Sequence, residues 1–464
     1  MSADAPAGTG TGTAAGASGE RLSGGEADLP ADWRLLKAEV AASIAFAGAL
    51  VEPGILSPAE RDSIVTALRR IEDEAARGAL RPAAGDVFAA VEARLTELAG
   101  PVAGRLIAGR GRGEQMLTAL RLWLLDEMDG IGELIATVQR ALLQQAEAHV
   151  GTLMPGYTDF QPVQVVSCAH WLLSYFWMLA RDQERLLAAI GRASASPLGS
   201  GALAGAPYRI DRRALAAAMG FREIVVNSVD AVGDLDFAAE FLFVAAMTGL
   251  HMSRLAEDLI RYSNPALGFV TLDAQYATGS ALASLRHGPN AVALARGQAG
   301  RLLGELAGFL GTLKGLAAAF HQDMQENQRA LFGAVDTLKA ILTTMEGVIL
   351  TLTVHPDRML AALDERILAS DLADYLAERG TPYRAAHQIV ERLIGRAETG
   401  GKPISALPLS VFQAESPAFD ADVFAVFDYS RSAAQRASAG GTAPAAIRAQ
   451  IRQALDWLTE AGLE

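Results

Sequence analysis

Between Pro101 and Pro155 the chain has no proline, and its apolar residues recur there at steps of three and four. Leu117, Leu120, Leu124, Met128, Ile131, Ile135, Val138 and Leu142 therefore share one stripe of a continuous helix over 114–150. Such a helix is far longer than the three or four turns usual in a small globular domain. It predicts a long-helix bundle or a coiled-coil-like oligomer core.

Two more stretches, 230–262 and 290–354, read the same way. The second lies between Pro289 and Pro356 and carries spaced glycines, read as kinks or close helix contacts. Gly/Pro/Ser-rich breaks at 151–162, 194–209 and 263–289 separate the long helices. Loops that join such helices gather at the bundle ends, where binding residues concentrate. The flanks differ. Residues 1–30 are rich in Gly, Ala, Ser and Thr and read as a flexible tail. Residues 31–108 read as a small helical domain, with one helix opened by the N-cap and N1 pair Ser57-Pro58. Residues 109–355 form the central bundle, and 356–464 a small C-terminal helical domain. The expected fold is all-α with three domains.

Of 464 residues, 51% are hydrophobic and 20% charged, which excludes wholesale disorder. Lys+Arg number 40 against Asp+Glu 53, a net charge of −13, so a broad nucleic-acid or anionic-membrane surface is not expected. One cysteine, Cys168, excludes a disulfide framework and a cysteine-based zinc cluster. The most apolar stretches, 169–180 and 237–250, are too short to span a bilayer and are interrupted by His170 and Glu240. There is no basic start followed by an apolar run, so the expectation is a cytoplasmic protein.

No P-loop, dinucleotide fingerprint, HExxH or GxSxG string occurs. The seven histidines do not pair at metal-ligand spacings, and no metal is expected. His170 and His251 lie in apolar helical context and read as core residues. The loops say more. GRGRGEQ at 109–115 sets two arginines among glycines at a helix start, a plausible carboxylate or phosphate cradle. YATGSALASLRHGPN at 276–290 offers Ser280, then Arg286 and His287. A serine hydroxyl acts as a base only if its alkoxide is stabilised, and Arg286 is a cation of the right kind. On these residues alone an ordinary solvated loop is the better reading of the segment.

Taken together, the motifs resemble argininosuccinate lyase of the fumarase/aspartase superfamily. MPGYTDFQ at 154–161 is similar to that family's MPGYTHLQ, and PLGSGALAG at 197–205 follows its pattern. NSVDAVGDLDFAAEFLF at 227–243 resembles NSxDAVSDRDFxxEFLF. DMQE at 323–326, FGAVDTL at 332–338, SDLADYLAERGTPYRAAHQIV at 370–390 and GGTAP at 440–444 continue in order. The resemblance covers about residues 35–460. It implies a homotetramer whose active sites are each assembled from three subunits, by loops 109–115, 154–161 and 279–290. It implies anti elimination from an N-substituted aspartate with release of fumarate, and no cofactor.

The departures fall on the chemistry. The family signature GSSxMPxKxNP reads GSALASLRHGP here, so Ser280 keeps the base position while Ala281 replaces the second serine. The lysine that stabilises the carbanionic intermediate is Arg286, which keeps the charge with different geometry. The GYTH histidine is Asp159, and the glutamate that holds it is Ala293. An Asp beside that Glu would be repelled, so the two changes are physically coherent. Thr158 is kept. GRSRNDQ has become GRGRGEQ, which retains Arg112 and places Gly111 and Gly113 where a serine and an asparagine stand. The arginine of SDRDF is Leu235. In YNRDMQEDK, Gln325 and Asp323 are kept, while the Tyr, Arg and Lys positions are Phe320, Gln322 and Gln328.

The expected function is therefore a lyase of this type acting on a C–N (or C–O) linked acid less anionic than argininosuccinate, in specialised metabolism. Ser280 is the expected base, Asp159 the acid or orienting group, and Arg286 the stabilising cation. Arg112, Gly113, Thr158, Gln161, His287, Phe320, Gln325 and Gln328 are the expected substrate contacts. A catalytically inactive scaffold, or addition, cyclisation or isomerisation at the same site, remains open on the sequence.

Overall fold

A computed structural model of the chain describes residues 31–80, 86–280 and 283–463, with the side chains of 278–287 outside that description. The expected stripe forms helix α4 (Arg112–Ala148), and all eight of its named residues are buried. Three helices precede it: α1 (Leu36–Ala49), α2 (Pro58–Ala76) and α3 (Val87–Ala99). The start of α2 is a full capping box, in which Ser57 and Glu60 satisfy each other's backbone N–H groups.

After α4 come the hairpin β1 (Leu153–Thr158) and β2 (Gln161–Ser167), then α5 (Cys168–Ala193). The short pair β3 (Ala195–Ser196) and β4 (Glu223–Ile224) flanks α6 (Arg212–Ala218) and precedes α7 (Ser228–Ala231). Helix α8 (Asp236–Tyr262) leads to β5 (Val270–Thr271) and the hairpin β6 (Thr278–Ser280) and β7 (Ala283–Gly288). Then follow α9 (Asn290–Leu313), α10 (Asn327–Leu350) and β8 (Thr353–Val354), which pairs with β5.

The stretch 290–354 is thus two helices, not one. The break falls at 314–326, where Ala319 takes a left-handed φ of 80°. The breaks 151–162 and 263–289, read as loops, contain strands. No helix among the described residues is long and apolar enough to cross a membrane.

The helices α4, α5, α8, α9 and α10 run alternately up and down. Arg121 of α4 reaches the last residue of α5, Ala193, and pairs with Asp234 just ahead of α8. At the opposite end Trp171 of α5 donates to Asp258 of α8 at 2.9 Å, and Gln145 of α4 donates to Ile349 O of α10 at 2.9 Å. One apolar core runs from Leu35 to Met359 and takes in Ile447, Ile451, Ala454 and Leu458 of α16 (Pro444–Glu460). A separate cluster from Leu372 to Val426 is built from α12 (Ala369–Glu378), α13 (Tyr383–Thr399) and α14 (Leu409–Glu415). Helices α11 (Pro356–Ala361) and α15 (Tyr429–Gln435) lie against the β1–β2 hairpin.

Candidate active site

Glu114 organises the end of the bundle where α4 begins. Its fully buried carboxylate accepts from the Gly111 N–H at 2.9 Å and from the Ser200 N–H at 2.6 Å. One side chain thereby joins the helix start to the 197–205 turn, and burial raises its pKa. Gly111 has its backbone against Gly201, and a Cβ at 111 would collide with the Gly201 carbonyl oxygen. Arg110 turns inward. It donates to Ser43 Oγ at 2.8 Å and pairs with Glu39 at 3.2 Å, so it anchors the loop to α1. Arg112 turns outward, pairs with Asp86 and lies over the Phe88 ring at 4.3 Å.

Gly113 faces Phe320, whose ring atoms would lie 3.1 Å from a Cβ at 113. The carbonyl of Ala319 would lie 2.7 Å from a Cβ at Gly233. Segments 109–115, 227–235 and 319–328 are therefore locked together at this end. Arg121 completes the lock: it pairs with Asp234, donates to Ala193 O at 3.1 Å and lies over the Phe237 ring at 4.0 Å. Leu235 is buried in the same place. Gln325 is exposed and accepts from Gln322 at 2.7 Å, whereas Gln328 is buried at the start of α10.

The other end carries two hairpins. In β1–β2, Thr158 pairs with Gln161 across a two-residue turn. The turn residues Asp159 and Phe160 have φ of 49° and 61°, the left-handed pattern of a type I′ turn. Thr158, Asp159, Phe160 and Gln161 are exposed, and the Arg261 guanidinium lies 3.4 Å from the Phe160 ring centroid. In β6–β7, Gly279 pairs with His287 and Ser280 with Ala283. Ser280 therefore ends one strand while Arg286 and His287 lie on the returning one. The side chains of these three, and Ala281 altogether, lie outside the described residues.

The predicted residues divide into two sets. Arg112, Gly113, Phe320, Gln325 and Gln328 are brought together where α4 begins. Thr158, Asp159, Gln161, Ser280, Arg286 and His287 lie where α4 ends. At 37 residues, α4 separates the two ends by about 55 Å, so one subunit does not unite them. His251 is a core residue, its Nδ1 2.6 Å from the buried Asp182. His170 is half-buried, and its Nδ1 has no partner. Burial pushes the Cys168 thiol up to about 12, which leaves it unreactive. No group of His, Cys, Asp and Glu able to hold a metal occurs among the described residues. Sequence reasoning missed Glu114, Asp86, Glu39 and Arg121. Glu114 had a signal, being the third residue of a helix opened by glycine, and so did Asp86, an acidic N-cap ahead of α3. Glu39 and Arg121 act through contacts distant in sequence.

A bundle of long antiparallel helices, with polar loops at both ends and small helical domains around it, defines a subunit of the fumarase/aspartase type. Class II fumarase from Schistosoma mansoni shares the fold, with a TM-score of 0.72 at 12% identity over 86% of this chain and 90% of its own. EDDS lyase in complex with formate superposes with a TM-score of 0.83 at 27% identity, covering 93% of this chain and 88% of that one. A lyase family model matches residues 24–304, and an argininosuccinate lyase C-terminal model matches 366–434. The argininosuccinate lyase of Roseiflexus sp. (strain RS-1) is 49% identical over 91% of this chain and 93% of its own length. That of Symbiobacterium thermophilum is 42% identical over 93% and 94%. The chain belongs to the argininosuccinate lyase family.

Proposed function

We propose that the protein is a homotetrameric lyase that eliminates an amine from an N-substituted aspartate other than argininosuccinate. Ser280, as its alkoxide, takes the Cβ proton. The electron pair left on carbon is delocalised into the neighbouring carboxylate, which Arg286 neutralises. The C–N bond then breaks with its pair going to nitrogen, Asp159 protonates the departing amine, and fumarate remains. Thr158 and Gln161 on one hairpin, and His287 on the other, hold the substrate from one side. Arg112, Gly113, Phe320, Gln325 and Gln328 of a neighbouring subunit hold it from the other.

One observation carries the altered substrate: the anion-binding positions at the α4 start are filled or already matched. Leu235 is core, Phe320 packs over Gly113, and Arg112 has Asp86 for a counter-ion. Each charged hydrogen bond lost contributes about 1.5–3 kcal/mol. Losing two costs argininosuccinate roughly 10²–10⁴-fold in kcat/KM.

The test is fumarate release, followed by ultraviolet absorbance, across a panel of N-substituted aspartates that includes argininosuccinate. At least one analogue is expected to outperform argininosuccinate by about 100-fold, and Ser280→Ala is expected to lower its rate on the order of 10²–10⁴-fold. Argininosuccinate as the best substrate would overturn the altered specificity. Full activity in Ser280→Ala would overturn the assignment of the base.

A further inference from the structure

The hairpin tip that carries Asp159 makes a turn that its own sequence does not favour. A type I′ turn takes Asn or Asp and then Gly, because both central residues have positive φ. Asp159 suits the first position. Phe160, with φ of 61°, is a bulky residue in a region that L side chains rarely adopt. Such a residue persists only where its surroundings hold it, and strain of this kind gathers at functional sites. Unheld, the turn relaxes toward a type that splays the strands and re-aims Asp159.

The hold comes from α8, which meets the hairpin through two consecutive residues. Tyr262 packs on Tyr157 of β1, with ring centroids 6.4 Å apart. Beyond Tyr157, residues 158–164 are exposed, and there the Arg261 guanidinium lies over the Phe160 ring, 3.4 Å from its centroid. That guanidinium is fixed from behind. Its Nε donates to Glu257 Oε1 at 2.7 Å, one turn back along α8. Glu257 also pairs with Arg296 of α9, the helix that follows the β6–β7 hairpin. Arg296 foremost, and Arg261 with it, hold the Glu257 carboxyl below the usual carboxylate range, so it is ionised at neutral pH. A planar cation held at its edge by a carboxylate presents its face to an aromatic ring, which a lysine could not do.

We propose that Arg261 is a positioning residue: it clamps Phe160 in the left-handed turn and so aims Asp159 at the departing amine. The clamp itself is a property of the hairpin and α8. Its catalytic consequence rests on the elimination reading with Asp159 as the acid, and the experiment has one arm for each.

In the kinetic arm, fumarate release is measured for a series of N-aryl and N-alkyl aspartates, whose leaving amines run from weakly to strongly basic. A misplaced acid matters most where the amine leaves worst. Arg261→Ala is expected to lower kcat about tenfold for the alkyl members and less than about twofold for the aryl ones. Equal losses across the series would mark a merely structural residue and overturn the proposal. Adding Phe160→Gly to Arg261→Ala makes the turn Asp-Gly, which keeps type I′ unaided, and is expected to recover most of the alkyl rate. A loss that persists in this double variant would show that Arg261 does not act through Phe160.

The second arm needs no substrate. Hydrogen exchange is followed by mass spectrometry on the peptide spanning 154–167 of the intact protein. Its ladder amides are expected to exchange about tenfold faster in Arg261→Ala and to slow again in the double variant. Exchange unchanged in Arg261→Ala would overturn the clamp. If no member of the series releases fumarate, or if Asp159→Asn leaves the dependence on the leaving amine as it was, the elimination reading fails and the exchange arm alone decides the clamp.

Discussion

Glu114 is a charge kept at the α4 start against its own desolvation. Burial raises its pKa above 4.5 although it accepts two backbone N–H bonds. The folded state therefore holds its proton more tightly than the unfolded chain does. The stabilising contribution is full below about pH 4.5 and is lost as pH rises through the folded value. Glu114→Gln removes that dependence. In urea unfolding, the variant is expected to be weaker than the parent at pH 4 and to close the gap toward pH 7. A gap constant with pH would contradict the assignment. Glu114→Ala also leaves the Gly111 and Ser200 N–H groups unpaired, so it is expected to lie about 1–3 kcal/mol below Glu114→Gln at every pH, read in the same assay.

At the scale of elements, the α4 start and the 197–205 turn fit because residue 111 has no side chain. Gly111→Ser, which restores the residue seen in the resembling motif, is expected to cost about 1–3 kcal/mol in urea denaturation, because the Gly201 carbonyl must move. The helices were legible in the sequence because their signal is local. All eight residues of the Leu117–Leu142 stripe are buried, and Ser57-Pro58 caps α2 as its residue types require. The β1–β2 hairpin was not legible, since its turn is Asp159-Phe160 rather than Asn-Gly, and Phe160 gives no sign of a left-handed φ. The break at 314–326 was hidden by a run of helix-favouring Leu and Ala, and Ala319 is left-handed where its carbonyl lies against Gly233. The site motifs were legible by resemblance. The counter-ion Asp86 and the anchor Glu39 were not, because nothing local ties them to Arg112 and Arg110.

At the scale of the molecule, the two halves of the proposed site lie at opposite ends of a helix about 55 Å long. Only another subunit, running antiparallel, can bring them together. Leu303 and Leu310, seven residues apart on one side of α9, suit that role: they are 50% and 48% exposed. Leu303→Lys with Leu310→Lys is expected to dissociate the tetramer in light scattering and to abolish fumarate release together with it. The shared site is tested most directly by mixing subunits. Ser280→Ala damages one half of every site and Arg112→Gln the other, so each homotetramer is expected to be inactive. Co-refolded in equal amounts, they form some sites with both halves intact. The mixture is expected to recover on the order of a quarter of the parent's fumarate release, as random assembly of two halves gives. A mixture no more active than its two parents would contradict a site built across subunits.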